Sequence, residues 1–474
     1  MKKKKFIFVL RNFIITFLDD LKIFNILIPK FNFKEYIKRG QKSASIKNIV
    51  IVSAITLFVK SLGFFKEAVI ADSFGLSELL DTFYIAILIP GFISTVFLGG
   101  FKSVFIPNYV IELKSGKDIS AFQSTCFLVT ILVSIVFCLV AVLFTDVYLE
   151  TIFSGHTDDY YLLIKTQFYY AIPCIIFWGL SSMLNGLLTI YNEFTFSSMN
   201  TIFTPITILL CLFFFKEELG DIVLVVGTLI GSILNFLLLL TVSLKKDIIK
   251  LGLPDFVSKN IKELFIQLPA KLAANILTGI NPVVDQYFAA QLIIGSIAAL
   301  NYGVKVPMFS IGLVTLALGS VLLPYFSKKV IENRDKAFSE LKRILKFLLI
   351  GSSIVAAVLI VLSSPIISLI FERNAFTSGD TTIVSGIQQL YLIQIPAYIT
   401  IIIMVRFLES INKNRFMVLT AVICLILNII LNYALIQYIG VYGLALGTSI
   451  VAIVNSLILY FYISYLNKQQ ILTT

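Results

Sequence analysis

The sequence predicts an all-α polytopic membrane protein: about 12 transmembrane helices in two six-helix lobes related by a pseudo-two-fold axis along the membrane normal. Three observations predict it: a surplus of apolar residues, apolar runs of membrane-crossing length, and an internal repeat. Of the 474 residues, 58% are hydrophobic and only 14% are charged. The mean hydropathy is +0.95. A water-soluble chain of this size needs far more charge to cover its surface, so most of this surface is expected to face lipid. The net charge of +11 invites a nucleic-acid partner, but hydropathy excludes one. Where the positive charges sit matters more than their sum.

The elements follow in order. Residues 1–46 carry Lys2 to Lys5, Arg11, Lys22, Lys30, Lys34, Lys38, Arg39 and Lys42. The apolar run Phe6–Leu18 is broken by Arg11 and Asn12 and is too short to span, and no small-residue cleavage site follows it. The segment reads as a basic amphipathic helix on an anionic leaflet, or as an extension upstream of the true start. Apolar runs then recur near 48–70, 80–105, 120–145, 159–190, 194–215, 221–244, 262–291, 296–325, 340–364, 382–411, 415–437 and 440–465. Each is roughly 20 residues or more, enough to cross the hydrocarbon, and in lipid each must satisfy its own backbone polar groups as a helix.

One set of connections holds Lys114 and Lys117, then Lys245, Lys246 and Lys250, then Lys328, Lys329, Arg334 and Lys336, then Lys413 and Arg415. The alternate set (71–79, 146–159, 292–295, 438–442) has no Lys or Arg; Lys216 and Arg373 are exceptions, each beside glutamate. The positive-inside rule then places both termini in the cytoplasm. The expected organisation is a basic cytoplasmic or interfacial segment (1–46), a first lobe (47–250), a second lobe (251–467) and a cytoplasmic tail (468–474).

The lobes rest on the repeat. "YIAILIPGFISTVFLGGFKSVFIPNYVIELKSGKDISAF" matches "NYGVKVPMFSIGLVTLALGSVLLPYFSKKVIENRDKAF" at one constant offset. It pairs Pro90 with Pro307, Pro107 with Pro324, Ser103 with Ser320, Val104 with Val321 and Asp118 with Asp335. Both copies end in a basic loop, so the repeats are parallel, with a site expected between them. Pro90 and Gly91, with Gly303 and Pro307, are candidate hinges; ordinary kinking of membrane helices explains them equally well.

Little catalytic chemistry is on offer. The single histidine, His156, sits in a short polar stretch and reads as a solvated loop residue. Cys126, Cys138, Cys174, Cys211 and Cys424 lie in apolar runs without a CxxC pair, so they read as packing or lipid-facing residues, with no zinc site or disulfide framework. Neither a catalytic set, a metal site nor a cofactor is expected. No Walker motif GxxxxGK[ST] occurs, so membrane potential or a coupling ion, of unknown identity, would supply the drive.

A few charges fall where lipid makes them costly: Lys60, Lys66 and Glu67 in the first helix, Lys271 and Asp285 in the seventh, and Lys305 in the eighth. Each costs about 2.5–3.5 kcal/mol at the bilayer centre unless it finds a partner or a polar cavity. The plainer reading is an ion-pair set that fixes helix packing. Lys60 and Lys305, however, occupy the first helix pair of each lobe, and neither has a carboxylate within about one turn of its own helix. They are expected to converge, with Lys66 and Lys271, on a wet cleft that takes an anionic ligand such as a pyrophosphate. Glu67, Asp81 and Asp285 would gate the lysines or tune their charge.

Several stretches resemble the MviN/MurJ family: "KSLGFFKEAVIADSFGLSELLDTFYIAILIP" its opening pattern, "ALNYGVKVPMFSIGLVTLALGSVLLPYFSK" its eighth helix, "LIFERNAFTSGDT" its outer loop before helix ten, and "FLESINKNRFMVLTAVICLILNIILNYALI" the region after that. The resemblance covers residues 47 to about 467. It implies a flippase of the multidrug/oligosaccharidyl-lipid/polysaccharide exporter superfamily, not an enzyme, that translocates an undecaprenyl-pyrophosphate-linked saccharide across a bacterial inner membrane by alternating access. Lipid II, the peptidoglycan precursor, is the implied cargo. Membrane lipids are implied partners, and cell-envelope glycosyltransferases are further candidates. Lys60, Lys66 and Lys305 stand where the family has cleft arginines, and Asp81 matches its aspartate at the start of helix two. The chain departs from the pattern in using lysines, in lacking a further arginine around Ser94 and Thr95, and in having no counterpart of the last two helices. A flippase for a lipid-linked O-antigen or exopolysaccharide unit, and an ion-coupled exporter of small molecules, therefore remain alternatives. A polysaccharide polymerase or ligase would need a larger outer loop.

Overall fold

A computed structural model describes residues 44–115, 118–153 and 155–471. The basic segment lies outside them except for residues 44–46, as do Lys117 and the end of the tail. Twelve main helical elements are present among the described residues: α1 (Ala44–Phe74), α2 (Glu78–Ser115), α3 (Ile119–Leu143), α4 (Asp158–Ile190), α5 (Phe203–Phe214), α6 (Lys216–Lys245), α7 (Lys259–Ala290), α8 (Ser296–Gly303 continued by Lys305–Glu332), α9 (Arg334–Val361), α10 (Ser378–Ser410), α11 (Asn414–Ile439) and α12 (Val441–Ile471). Nine of these, among the described residues, contain stretches long and apolar enough to cross a membrane. The others are α5, which a short turn Phe194–Ser198 precedes, and the more polar α1 and α7. The helices outrun the apolar stretches that announce them: α1 begins before residue 48, and α2 and α8 continue as far as Ser115 and Glu332.

Short polar side chains start the helices. Asp118 caps α3 through Ser120 N and Ala121 N, Ser258 caps α7 through Ile261 N, and Asn333 caps α9 through Lys336 N. At the opposite face Thr157 caps α4, and Thr377 with Asp380 forms a capping box on α10. Each cap satisfies amides that would otherwise have no partner at the helix start. The face with Lys114, Lys245, Lys329 and Lys413 is termed the basic face.

The bundles α1–α6 and α7–α12 share one core toward the face opposite the basic one, and α7 also packs into a core of the first bundle nearer the basic face. Toward the opposite face Ile70, Leu80, Ile85 and Phe168 of the first bundle pack in one cluster with Ala298, Tyr302, Phe371 and Phe376 of the second. Toward the basic face the packing among the described residues divides into two larger clusters. One holds Phe105, Tyr109, Phe122 and Leu184 with the start of α7; the other holds Phe326, Phe338, Leu341 and Phe407. The segment between α6 and α7 is pinned to α3: Lys250 N donates to Gln123 Oε1 at 2.8 Å, and Asp255 N to Thr125 Oγ1 at 2.8 Å.

Cys126, Cys174, Cys211 and Cys424 are buried packing residues, and Cys138 is half-buried. His156 differs from the solvated residue expected: its ring stacks on Tyr160, centroids 4.1 Å apart, and is half-buried.

Candidate functional site

The site lies where the four helices α1, α2, α7 and α8 line the seam between the bundles. α1 and α8 run antiparallel, and residues seven apart on each return to nearly the same face. Glu67 and Lys305 therefore meet at one level, and Lys60 and Gly312 meet about 10 Å nearer the basic face.

Glu67 is the hub. Its Oε1 lies 2.8 Å from Lys66 Nζ and 3.1 Å from Lys305 Nζ, so one carboxylate of the first bundle bridges to a lysine of the second. Tyr84 Oη donates to Oε2 at 3.4 Å. The Glu67 side chain is only 10% exposed, against 18% for Lys66 and 25% for Lys305. One negative charge thus serves two cations, and the cluster keeps a net positive charge with its lysines still partly open.

This corrects the expectation that Lys305 lacks a carboxylate. The distance along its own helix was the wrong measure, because the partner comes from α1. Lys60 does lack one among the described residues. It is exposed, with Nζ 3.3 Å from the point where a side chain on Gly312 would begin. Between these levels Phe64 packs on Phe309, centroids 5.8 Å apart. Nearer the basic face no hydrogen bond or ring contact joins α1 to α8 among the described residues, and Leu57, Phe58, Leu313 and Val321 are exposed.

The other seam is zipped along its length. Gly100 lets Leu272 approach, with Cδ2 2.8 Å from where a Cβ would stand. Asn108 Nδ2 donates to Gln267 Oε1 at 3.0 Å, and Asn260 Nδ2 to Glu112 Oε2 at 2.8 Å. Lys271 lies on the same α7 stripe as Gln267 and Asn275, is exposed, and makes no ion pair among the described residues.

Two acidic residues sit apart from the lysines. Asp81 was expected to tune their charge. Instead it is 2% exposed and caps α8 across the bundle boundary, accepting from Gly295 N at 2.6 Å and Ala298 N at 2.7 Å. A carboxylate at a helix start is held by unpaired amides and the helix dipole, which outcompete distant ammonium groups. Asp285 likewise pairs with no lysine among the described residues; it accepts from Asn432 at 2.7 Å and Asn428 at 3.4 Å, both on α11.

The far end of α1 is sealed. Ala375 N donates to Asp72 O at 3.2 Å, and Asn374 Nδ2 to Asp72 Oδ1 at 2.8 Å. Gly75 turns the chain here with φ +53°, and any side chain would overlap the Ala375 carbonyl. The candidate hinges coincide with helix irregularities. Pro90 and Gly91 precede a π turn at Ser94–Leu98, whose Thr95 and Val96 carbonyls accept from Asn275 Nδ2; Gly303 and Pro307 flank the break at Val304.

Sequence reading passed over Lys102. It lies inside α2, half-buried, and donates to Asn185 Oδ1 of α4 at 2.6 Å. The cost of a cation within an apolar span was the signal available.

A two-lobed helical bundle with cations gathered where the lobes meet defines a multi-pass membrane transporter rather than an enzyme. Comparisons narrow the class. Residues 70–473 match the family described as Lipid II flippase MurJ. The chain belongs to the MurJ family. A probable lipid II flippase MurJ of Buchnera aphidicola subsp. Schizaphis graminum is 29% identical over 433 residues, covering 88% of this chain and 82% of the relative. The lipid II flippase MurJ of Thermosipho africanus is 29% identical over 413 residues, covering 87% of this chain and 84% of the relative. A solved structure titled lipid II flippase MurJ, inward closed conformation, superposes with TM-score 0.75 at 28% identity, covering 88% of this chain and 87% of that one. An inward-facing multidrug transporter of the MATE family gives TM-score 0.68 at 12% identity, covering 89% and 98%; that similarity is one of fold.

Proposed function

We propose that this chain translocates a polyprenyl-pyrophosphate-linked saccharide, with lipid II as its cargo, across a bacterial inner membrane by alternating access. The observation that carries the reading is the Lys66–Glu67–Lys305 cluster, which joins the lobes through one shared carboxylate. A diphosphate brings at least as much negative charge as Glu67. It can replace that carboxylate as counter-ion to Lys305 and Lys66, which uncouples the lobes when cargo is present. Lys60, at the mouth of the parted seam, meets the diphosphate first, and Lys271 adds charge from the α7 wall. The names of the two relatives, lipid II flippase and probable lipid II flippase, support the same cargo.

In this reading the basic face is cytoplasmic, with both termini there, because Lys and Arg concentrate in its loops. Residues 47–250 and 251–467 are the moving lobes, with the connecting segment as far as Asp255 riding on the first. Asp81 and the Asp72–Asn374 contact hold the outer gate, while Pro90, Gly91, Gly303 and Pro307 let α2 and α8 bend. Asp285 tunes the second lobe through α11. The polyprenyl tail stays in lipid beside α1 and α8. Membrane potential or an ion gradient drives the cycle, and envelope glycosyltransferases consume the product.

The test is lipid II turnover in reconstituted vesicles by Lys60→Ala and Lys305→Ala variants. A drop of about tenfold or more in each is expected, from the loss of charge-assisted contacts worth about 1.5–3 kcal/mol. Undiminished turnover by folded variants would remove these lysines from the site.

A further inference from the structure

A groove on the outside of the second bundle, away from the cleft helices, is walled by α9 and α12 and floored by α10. It encloses about 630 Å³. Small residues shape its floor: Pro396, Ala397 and Thr400 on α10 and Ser456 on α12. Thr400 Oγ1 and Ser456 Oγ lie 2.8 Å apart in a mutual hydrogen bond, so the floor leaves neither hydroxyl in need of a polar ligand. The walls are apolar and open sideways, with Leu349 46%, Leu457 48% and Tyr460 42% exposed. Side chains of this kind, so exposed within membrane-crossing helices, face hydrocarbon.

One rim is charged. Lys342 and Lys346 lie one turn apart on the groove side of α9, toward the basic face, both exposed and neither in an ion pair among the described residues. Their ammonium groups stand where headgroup phosphates of that leaflet lie, directly beside a slot for hydrocarbon. We infer that this groove binds an anionic glycerophospholipid, one acyl chain lying against Ala397 and Ser456 and the phosphate between Lys342 and Lys346. A zwitterionic lipid fills the slot equally well but gains less from the rim, so the site selects by charge.

The test uses the full chain purified in mixed micelles with equimolar phosphatidylglycerol and phosphatidylcholine, read by native mass spectrometry. Phosphatidylglycerol adducts should dominate. Lys342→Gln with Lys346→Gln should cut the preference by about fivefold per lysine. Lys342→Arg with Lys346→Arg should keep it, and Ala397→Phe should reduce retention of both lipids. Equal retention of the two lipids by the native chain would overturn the inference, as would an undiminished preference in the glutamine variant. Displacement of phosphatidylglycerol by a lipid-linked saccharide would assign the groove to the cargo's tail, and displacement by a co-purifying membrane helix would assign it to a protein. The cleft lysines are untouched in every variant, so failure here leaves the flippase reading standing.

Discussion

At the scale of single residues, Glu67 sets the balance of the site. Replacing it with Gln leaves Lys66 and Lys305 facing each other without a counter-ion, a loss that costs about 3–5 kcal/mol when a buried pair loses one member. The Glu67→Gln variant should therefore melt earlier than the native chain. Inorganic pyrophosphate should raise its melting temperature more than it raises the native one, because the added anion takes the vacated place. Equal stabilisation of the two proteins would show that the diphosphate does not share the Glu67 position. Glu372, outside the spans, offers a second test. Its Oε2 accepts from Thr381 Oγ1 at 2.7 Å, and that bond, with another from Ser368, holds its carboxyl below the ordinary glutamate value of 4.5. A lowered value means that its contribution to the loop is complete above pH 4.5 and fades only as pH falls through the lowered value. In a carbon-13 titration the Glu372 midpoint should lie below 4.5, and Thr381→Val should move it upward.

At the scale of elements, the seal between α1 and the loop before α10 depends on one glycine. Gly75→Ala forces a left-handed residue to carry a side chain into the Ala375 carbonyl, a strain of about 1–3 kcal/mol before any clash is counted. The expected outcome is a looser opposite face, read as faster thiol labelling of an Asn374→Cys reporter. The same elements show what could be read from the chain alone. Nine of the helices were legible because lipid demands long apolar runs, and the paired Pro90 and Pro307 were legible because the repeat aligns them. The π turn at Ser94–Leu98 was not, since it depends on Asn275 of another helix accepting the role of donor to Thr95 and Val96. The deep lysines stood out by their cost in lipid. The pairing of Lys305 with Glu67, and the capping of α8 by Asp81, depend on which helices adjoin across the seam, and residue spacing within one helix carries no such information.

At the scale of the whole molecule, the bundles are joined along the α2–α7 seam and, at the opposite face, by the core they share. If alternating access operates, the joint at the opposite face must break in every cycle. A disulfide between Asp72→Cys and Asn374→Cys, in a background freed of the five native cysteines, should abolish turnover, and a reductant should restore it. A disulfide between Asn108→Cys and Gln267→Cys, at a contact already made near the basic face, should leave a larger share of turnover intact. Equal loss from both would mean that the α2–α7 seam parts as widely as the α1–α8 seam.

That unequal pair of seams has a consequence for the kind of load the protein can handle. The molecule is bound like a book, with α2 and α7 as the spine and α1 and α8 as the fore-edge, so a sugar head slips between the pages while its hydrocarbon bookmark hangs outside. Head volume should then limit turnover, whereas the number of prenyl units should hardly matter; a set of cargo analogues differing only in tail length would be carried at similar rates.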